Sequence, residues 1–571
     1  MIDFTTEATC PSIQTLVDNK VASRIRAKDA TLYNFESEAQ ECAQNYMGWT
    51  TLASNPPTEI EEIQNFAYAM MAKGVKTILL IGQGGSTQAP MTLTKYNKTD
   101  SSMVFKTLDS VSPVRVRTIL SECDPKTTLV IQSSKSGGTI EPCLVMKAVR
   151  DILAETLDEA EIPQHLVAIT DPGSDLEKQA REEGWLHIFS GEPTVGGRYS
   201  ALSVFGLVPA ALVGINLNSL IAYARKAEVL CGSDSVHNPA IVLAAFLYDN
   251  YRAGRDKFSF FSPKRGRVLG LWIEQLVAES LGKNGKGILP NIEIDSLMLS
   301  QDPKDRTVIT YDTKIDLWDE QQNYKKSIEY INKDIPRINY QITTVNDLAA
   351  HFIMWEYAIA MAGYLMEVCP FDQPDVAVAK SEVLRILSEG APEPTIIQEG
   401  IDDVPVGKVE VRVSDALLPD LKEKTLEGAL STLMNSLKFS DYFSIHAFVP
   451  FTGEGRREAM EEIRHAAPEH FGVASCLEIG PRYLHSTGQL HKGGPNNGVF
   501  LIIYTEEIKD LPVDDARANS LGMLGKAQSL GDFSILSSRG RRCVHVQLPD
   551  SSAVTLRMLA KTLKKVVASC S

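Results

Sequence analysis

Nothing in the sequence reads as a membrane span, a nucleotide loop or a cysteine framework. The longest apolar stretch, around Leu202 to Ile215, is broken by Ser203, Gly206, Pro209 and Gly214. It falls short of the ~20 residues that a helix needs to cross a bilayer. The nine cysteines are scattered from Cys10 to Cys570 with no CxxC pair or other metal-ligand spacing, so they read as reduced thiols in a cytoplasm, with no metal site. The turn Gly82–Ser86 is not GxGxxG, and no GxxxxGK[ST] occurs, so the nucleotide motifs are missing. Positive charge is in deficit: 57 Lys and Arg stand against 72 Asp and Glu, a net −15. That balance argues against nucleic-acid or membrane partners held by broad electrostatics, and an anionic metabolite would need a pocket of its own. The start, MIDFTTEATC, lacks the charged end and apolar run of a secretory signal.

What is present is a globular composition on a chain too long for one core. Hydrophobic residues make up 44% and charged residues 23% of 571, so disorder is not indicated and two to four domains of roughly 100–200 residues are expected. Lys76–Ile81 is a short apolar, β-branched run feeding the glycine turn Gly82–Ser86. Further strands are expected over Met103–Leu108, Thr128–Ser133, His165–Thr170 and Trp185–Phe189, with helices over Val114–Leu120, from Glu141, and over Asp175–Glu183. Such alternation predicts a parallel sheet with helices on both faces and ligands beyond the carboxyl ends of its strands, where the turns 82–86 and 134–139 fall. From Ser235 the chain reads as mostly helical, with a second α/β layer between Thr307 and Thr343 and a helix over Ala349–Met366. Pro392, Pro394 and the acidic Glu399–Gly407 read as a boundary, and strands over Phe443–Phe448, Val499–Tyr504 and Val544–Leu548 follow it. The expected division is 1–215, 216–398 and 399–571.

Five segments carry chemistry. Gln275 and Glu279 lie one turn apart on a helix that ends in the polar turn Gly282–Gly287, so a carboxylate stands near a helix end where it can act as a base. Ser133–Thr139 packs four hydroxyls and Lys135 into seven residues after an apolar strand, a pattern suited to a phosphate dianion. Gly82–Ser86 offers backbone N–H groups and a hydroxyl in a similar setting. Arg198 follows two glycines that permit close backbone approach. The stretch from His485 to Gly494 places His485, His491 and Lys492 among small residues, which suits proton transfer. Each also reads as an ordinary turn, helix or capped loop.

Taken together and in order, the segments resemble the phosphoglucose isomerase family: IGQGGS at 81–86, SSKSGGTIEP at 133–142, VGGRYSALS at 195–203, QLVAESLGKNGKGI at 275–288 and PFDQPDVAVAK at 370–380. The isomerase half of transaldolase–isomerase fusion proteins is closer still, through LHSTGQLHKGGPNNGVFL at 484–501 and AKDATLY at 27–33. The resemblance begins almost at residue 1, so no transaldolase barrel is expected within this chain. It implies an α/β fold of two sugar-isomerase (SIS) type doubly wound parallel-sheet domains plus a C-terminal α/β unit, usually in a homodimer. It assigns Ser134, Ser136 and Thr139 to a phosphate loop, with Lys135 among them and Gly85 and Ser86 beside them. Arg198 matches the arginine that supports an enediolate, Gln275 and Glu279 the glutamine and base, and Gln373 and Lys380 a further glutamine and lysine. Two departures stand out. Gly138 occupies a position where the phosphate loop commonly has threonine, and His485, matched to the ring-opening histidine, follows the FDQP motif instead of preceding it.

The resemblance implies interconversion of glucose 6-phosphate and fructose 6-phosphate in the cytoplasm, with no metal or redox cofactor. A proton α to a carbonyl leaves one carbon and returns to its neighbour through a cis-enediolate, so one carboxylate serves both steps: Glu279, with Arg198 offsetting the oxyanion charge. Cyclic sugar must first open, and His485 and Lys380 are the candidates for that proton traffic. The alternatives are a non-catalytic sugar-phosphate-binding regulator and an isomerase of broader range, for instance one accepting mannose 6-phosphate. A regulator would use Ser134, Ser136 and Thr139 but would have no need of Glu279 together with Arg198.

Overall fold

The computed structural model describes residues 2–97, 103–293, 299, 303–314, 318–402, 404–451, 453, 455–507 and 509–570. The chain forms two compact units, one of Met1–Asp109 with Cys123–Gln373, the other of Ser110–Glu122 with Pro374–Ser571. Strands of the first are β1 (Asp3–Thr6), β2 (Thr77–Ile81), β3 (Val104–Leu108), β4 (Thr128–Ser133), β5 (Leu166–Thr170), β6 (His187–Ser190), β7 (Lys257–Phe261), β8 (Leu289–Ile292), β9 (Arg306–Thr313) and β10 (Arg337–Ile342). Strands of the second are β11 (Ile396–Ile401), β12 (Val404–Val413), β13 (Tyr442–Phe448), β14 (Ala474–Ile479), β15 (Gly498–Thr505) and β16 (Arg542–Leu548).

The first unit holds two sheets. One, ordered β3-β2-β4-β5-β6, is parallel throughout. Its central strands, TILLI and TLVIQS, are buried at every position, as expected where helices cover both faces of a sheet. The other runs β8-β7-β9-β10-β1, and its first four strands are parallel. In both, the earliest strand of the parallel set has the second on one side and the third on the other, so the chain reverses its direction of growth at the same place. The N-terminal strand β1 closes the second sheet as an antiparallel edge, Asp3 opposite Gln341.

The compact units part differently from the expected three domains. The first two sheets share one apolar core, in which Ile78 and Leu80 of β2 belong to the same cluster as Phe258 and Phe260 of β7 and the helix Val345–Met366. That helix is the one among the described residues long and apolar enough to span a bilayer, but its apolar surface is enclosed by this core. The expected boundary after 398 falls inside β11, and Glu399–Gly407, read as a linker, forms parts of the antiparallel pair β11–β12. Two strands in the stretch read as helical, β7 and β8, were also not expected. β8 carries Pro290, which a sheet tolerates on an edge strand such as this one.

The second unit is built on a mixed sheet, β11-β12-β16-β15-β13-β14, with β16, β15, β13 and β14 parallel. It includes the helix Pro113–Ser121, whose start is held by Glu507: Ser112 Oγ donates to Glu507 Oε1 at 2.5 Å and Val114 N to Oε2 at 2.7 Å.

Candidate active site

β2 and β4 are neighbours from which the chain departs in opposite directions, to β3 and to β5. Their carboxyl ends border the crevice where open α/β sheets take ligands. After β2, Gly84 at φ +53° leads into the helix Gly85–Tyr96. A Cβ on Gly85 would lie 2.0 Å from Gly197 O, so only glycine lets this helix start meet the segment that carries Arg198. Ser86 sits half-buried in its first turn.

After β4, the loop Ser133–Thr139 is tied to the neighbouring strand end by Ser134 N donating to Ile169 O and Asp171 N to Lys135 O, both 3.0 Å. Gly137 turns it at φ +70°, where a Cβ would lie 2.5 Å from Leu176 N. Ser134 is buried, and its hydroxyl makes no hydrogen bond within the protein. Ser136 is exposed, accepting from Gly138 N at 3.3 Å. Thr139 stands at the start of the helix Ile140–Ala154, yet its side chain accepts no capping bond from it. Hydroxyls left over from the protein's own bonding, at a helix N-terminus, can hold an oxyanion. Lys135 differs from the sequence expectation of a phosphate ligand: its ammonium pairs with Asp171 Oδ2 and donates to Glu192 O and Pro193 O. It secures the loop from behind, because those three partners match its three protons.

Glu279 lies near the end of the helix Arg267–Leu281, the crossover between β7 and β8, and is buried. Gln275, one turn earlier, donates from Nε2 to Glu279 Oε2 at 3.1 Å, and Arg198 Nη1 lies 3.5 Å from Oε1. Arg198 is buried and heavily committed. Its Nε donates to Ser280 Oγ at 2.8 Å, Nη1 to Gln373 Oε1 at 2.9 Å, and Nη2 to Pro370 O at 2.7 Å and Asp372 O at 2.8 Å. A guanidinium has five N–H groups, so one on Nη1 remains on the side of Glu279. Tyr199 backs this arrangement, stacked on Trp49 with ring centroids 5.1 Å apart. The structure thus brings Glu279, Gln275, Arg198 and Gln373 together. Sequence reasoning missed Ser280, which adjoins the base, Lys283, and the carbonyls of Pro370 and Asp372, which no side-chain pattern could announce.

The remaining candidates lie in the second unit. Lys380 is exposed on the helix Pro374–Glu389. His485 is half-buried at the end of the short turn Arg482–His485, and the expected glycine-rich loop after it is the helix Gly488–Gly493. Two motifs far apart in sequence meet here: Gln489 donates from Nε2 to Asp375 Oδ2 at 2.5 Å and accepts from Asp375 N at 3.0 Å. His491 points inward instead. It stacks on His446 at 4.7 Å between ring centroids, and its neighbours include Tyr442 and Phe500. Burial, then the adjacent His446 and Lys492, hold its pKa well below the ordinary histidine value. Beside it Asp532 is fully buried and receives His446 Nδ1 at 2.8 Å, Tyr483 OH at 2.7 Å and Lys492 Nζ at 2.5 Å. Burial alone would raise the Asp532 carboxyl, but Lys492 and His446 outweigh it and hold it far below the usual carboxylate range.

Residues 60–291 match the family model described as phosphoglucose isomerase. That span contains the two turns, Arg198, Gln275 and Glu279, whereas Gln373, Lys380 and His485 lie outside it. Among curated proteins, glucose-6-phosphate isomerase of Mycoplasmopsis pulmonis is 31% identical over 390 residues, 60% of this chain and 90% of that one. A protein of Methanococcus maripaludis named probable glucose-6-phosphate isomerase is 30% identical over 346 residues, 54% of this chain and 78% of its own length. Two solved structures share the fold. A hypothetical protein of Thermus thermophilus aligns with a TM-score of 0.58 at 24% identity, over 68% of this chain and all of that one. A glucose-6-phosphate isomerase of Chlamydia trachomatis aligns at 0.56 and 18%, over 68% of this chain and 89% of that one. With nine-tenths of the Mycoplasmopsis protein spanned at 31% identity, the chain belongs to the phosphoglucose isomerase family.

Proposed function

We propose that the protein interconverts glucose 6-phosphate and fructose 6-phosphate. The observation that carries this is the buried Glu279 carboxylate set between the Gln275 amide and the last uncommitted N–H of Arg198. Glu279 takes the proton from C2 of the open aldose and returns it to C1. The free N–H of Arg198 meets the oxyanion that grows as the carbonyl becomes an enediolate. Ser134, Ser136 and Thr139, with Gly85 and Ser86 opposite, hold the phosphate at the carboxyl ends of β4 and β2, while Gln373 orients Arg198. The relatives named for this activity support the substrate pair.

Ring opening falls to His485, with Lys380 as its partner in proton traffic. Its half-buried place on a turn supports this role over His491, which is enclosed among aromatic rings and neutral. Family resemblance supports a homodimer in the cytoplasm, and light scattering should then give about twice 62.7 kDa. The deciding experiment is a coupled assay of the purified chain in both directions against a panel of hexose and pentose phosphates. Binding without turnover of any of them would replace the isomerase with a sugar-phosphate-binding protein.

A further inference from the structure

We propose that Lys283 is a positioning residue for the proton transfer at Glu279, acting through the strap Cys369–Gln373; this rests on the isomerase reading above. Lys283 stands four residues beyond Glu279, just past the end of the same helix, and is 3% exposed. All three of its protons are spent on the strap: Nζ donates to Cys369 O at 2.5 Å, Asp372 O at 2.7 Å and Asp372 Oδ1 at 2.5 Å. Arg198 grips the same five residues from the other side of the sequence, at Pro370 O, Asp372 O and Gln373 Oε1. Asp372 O therefore accepts from both cations.

The consequence is geometric. A guanidinium is planar and rigid, so fixing its Nε on Ser280 and its other donors on the strap fixes the direction of the one N–H left for the reaction. Ser280 belongs to the helix of Glu279, but the strap does not. Lys283 ties the strap directly to the end of that helix, independently of Arg198, so that base, arginine and strap form one frame. Stability alone gives little reason for such a lysine. Burial, then the nearby Arg198, push its pKa down against the pull of Asp372, and a buried ion pair is commonly replaceable by apolar side chains without loss. Asp372 keeps 38% of its side-chain surface exposed, so it would not be stranded as a buried charge if the lysine were removed.

The test is Lys283→Met in the full chain, read by steady-state kinetics and by the ratio of C2 proton exchange into deuterated water to isomerisation. Loss of alignment slows return of the proton from Glu279, so more of it exchanges per turnover. The expected result is a kcat lower by about 10- to 100-fold, the scale of an ångström-sized misplacement, with KM within about threefold and an exchange ratio that rises. A merely structural role would lower exchange and turnover together and leave their ratio unchanged; that outcome, or normal kinetics, overturns the proposal while leaving the isomerase reading intact. An inactive wild type would overturn both. Should Lys283→Met fail to fold, Asp372→Ala removes one of the three contacts at a partly exposed residue, and an unchanged ratio there is equally decisive against it.

Discussion

Replacing Glu279 with glutamine keeps its size, leaves one oxygen where two had faced Gln275 and Arg198, and removes its capacity to accept a proton. General-base catalysis is worth about 10²–10⁴-fold, so kcat should fall by at least that factor, with KM little changed and exchange of the substrate proton with deuterated solvent abolished. Retained exchange would dismiss Glu279 as the base. Ser134→Ala separates binding from folding. Its hydroxyl is buried without a partner in the protein, so removing it should leave the melting temperature unchanged or slightly higher, whereas a lost bond to charged phosphate costs about 1.5–3 kcal/mol and raises KM roughly tenfold or more. An unchanged KM would take Ser134 out of the phosphate loop. At this scale the sequence showed which side chains could do chemistry, because Gln275, Glu279 and Arg198 stand in distinctive local patterns. It did not show what they would be bonded to. Lys135 finds Asp171, 36 residues on, and Arg198 finds backbone carbonyls some 170 residues away, and pairings of that range leave no mark in local composition.

Among the elements, the helix Gly488–Gly493 shows best how packing overrides a loop-like composition. Glycine and lysine suggested an open turn, but Leu490 and His491 are buried and Lys492 is drawn in by Asp532. Asp532→Asn would leave that ammonium buried without its counter-charge, at a cost of about 3–5 kcal/mol; melting of the variant against wild type at pH 7 measures it. A second element carries a pH dependence. Glu478, buried on β14, is pushed by burial from 4.5 up to about 7, against a hydrogen bond from Thr487 and the charges of Arg482 and Arg464. The unfolded chain releases this proton near pH 4.5 while the folded one keeps it. This group's contribution is thus complete below pH 4.5 and declines, by about 1.4 kcal/mol per pH unit, until the folded carboxyl ionises near 7. Glu478→Gln should flatten that decline in denaturation curves taken at pH 5 and pH 7. Strands with continuous apolar runs, such as β2, β4 and β15, were legible. β7 and the β11–β12 pair were not, because Lys257 and Ser259 interrupt the apolar run of the first and the second carries the glycines, proline and acids that normally mark a linker.

For the molecule as a whole, the alternation of strands and helices was enough to fix the α/β class, but the division into units depends on which apolar faces share a core, and neighbours in sequence do not determine that. All five tryptophans, Trp49, Trp185, Trp272, Trp318 and Trp355, belong to the first unit. Tryptophan emission should therefore follow only its unfolding, and Asp532→Asn should shift the far-ultraviolet dichroism transition more than the emission transition; coincident shifts would show that the units unfold as one. The second unit is also discontinuous. Residues 110–122 are synthesised about 250 residues before Pro374, and at ~5–20 residues per second that interval lasts roughly 10–50 s. Throughout it Val116 and Ile119, buried in the finished protein, have no unit to enter. A nascent chain paused after Gln373 should present this helix to chaperones and proteases, and protection there should arise only when the last strand of its sheet, β16, has left the ribosome.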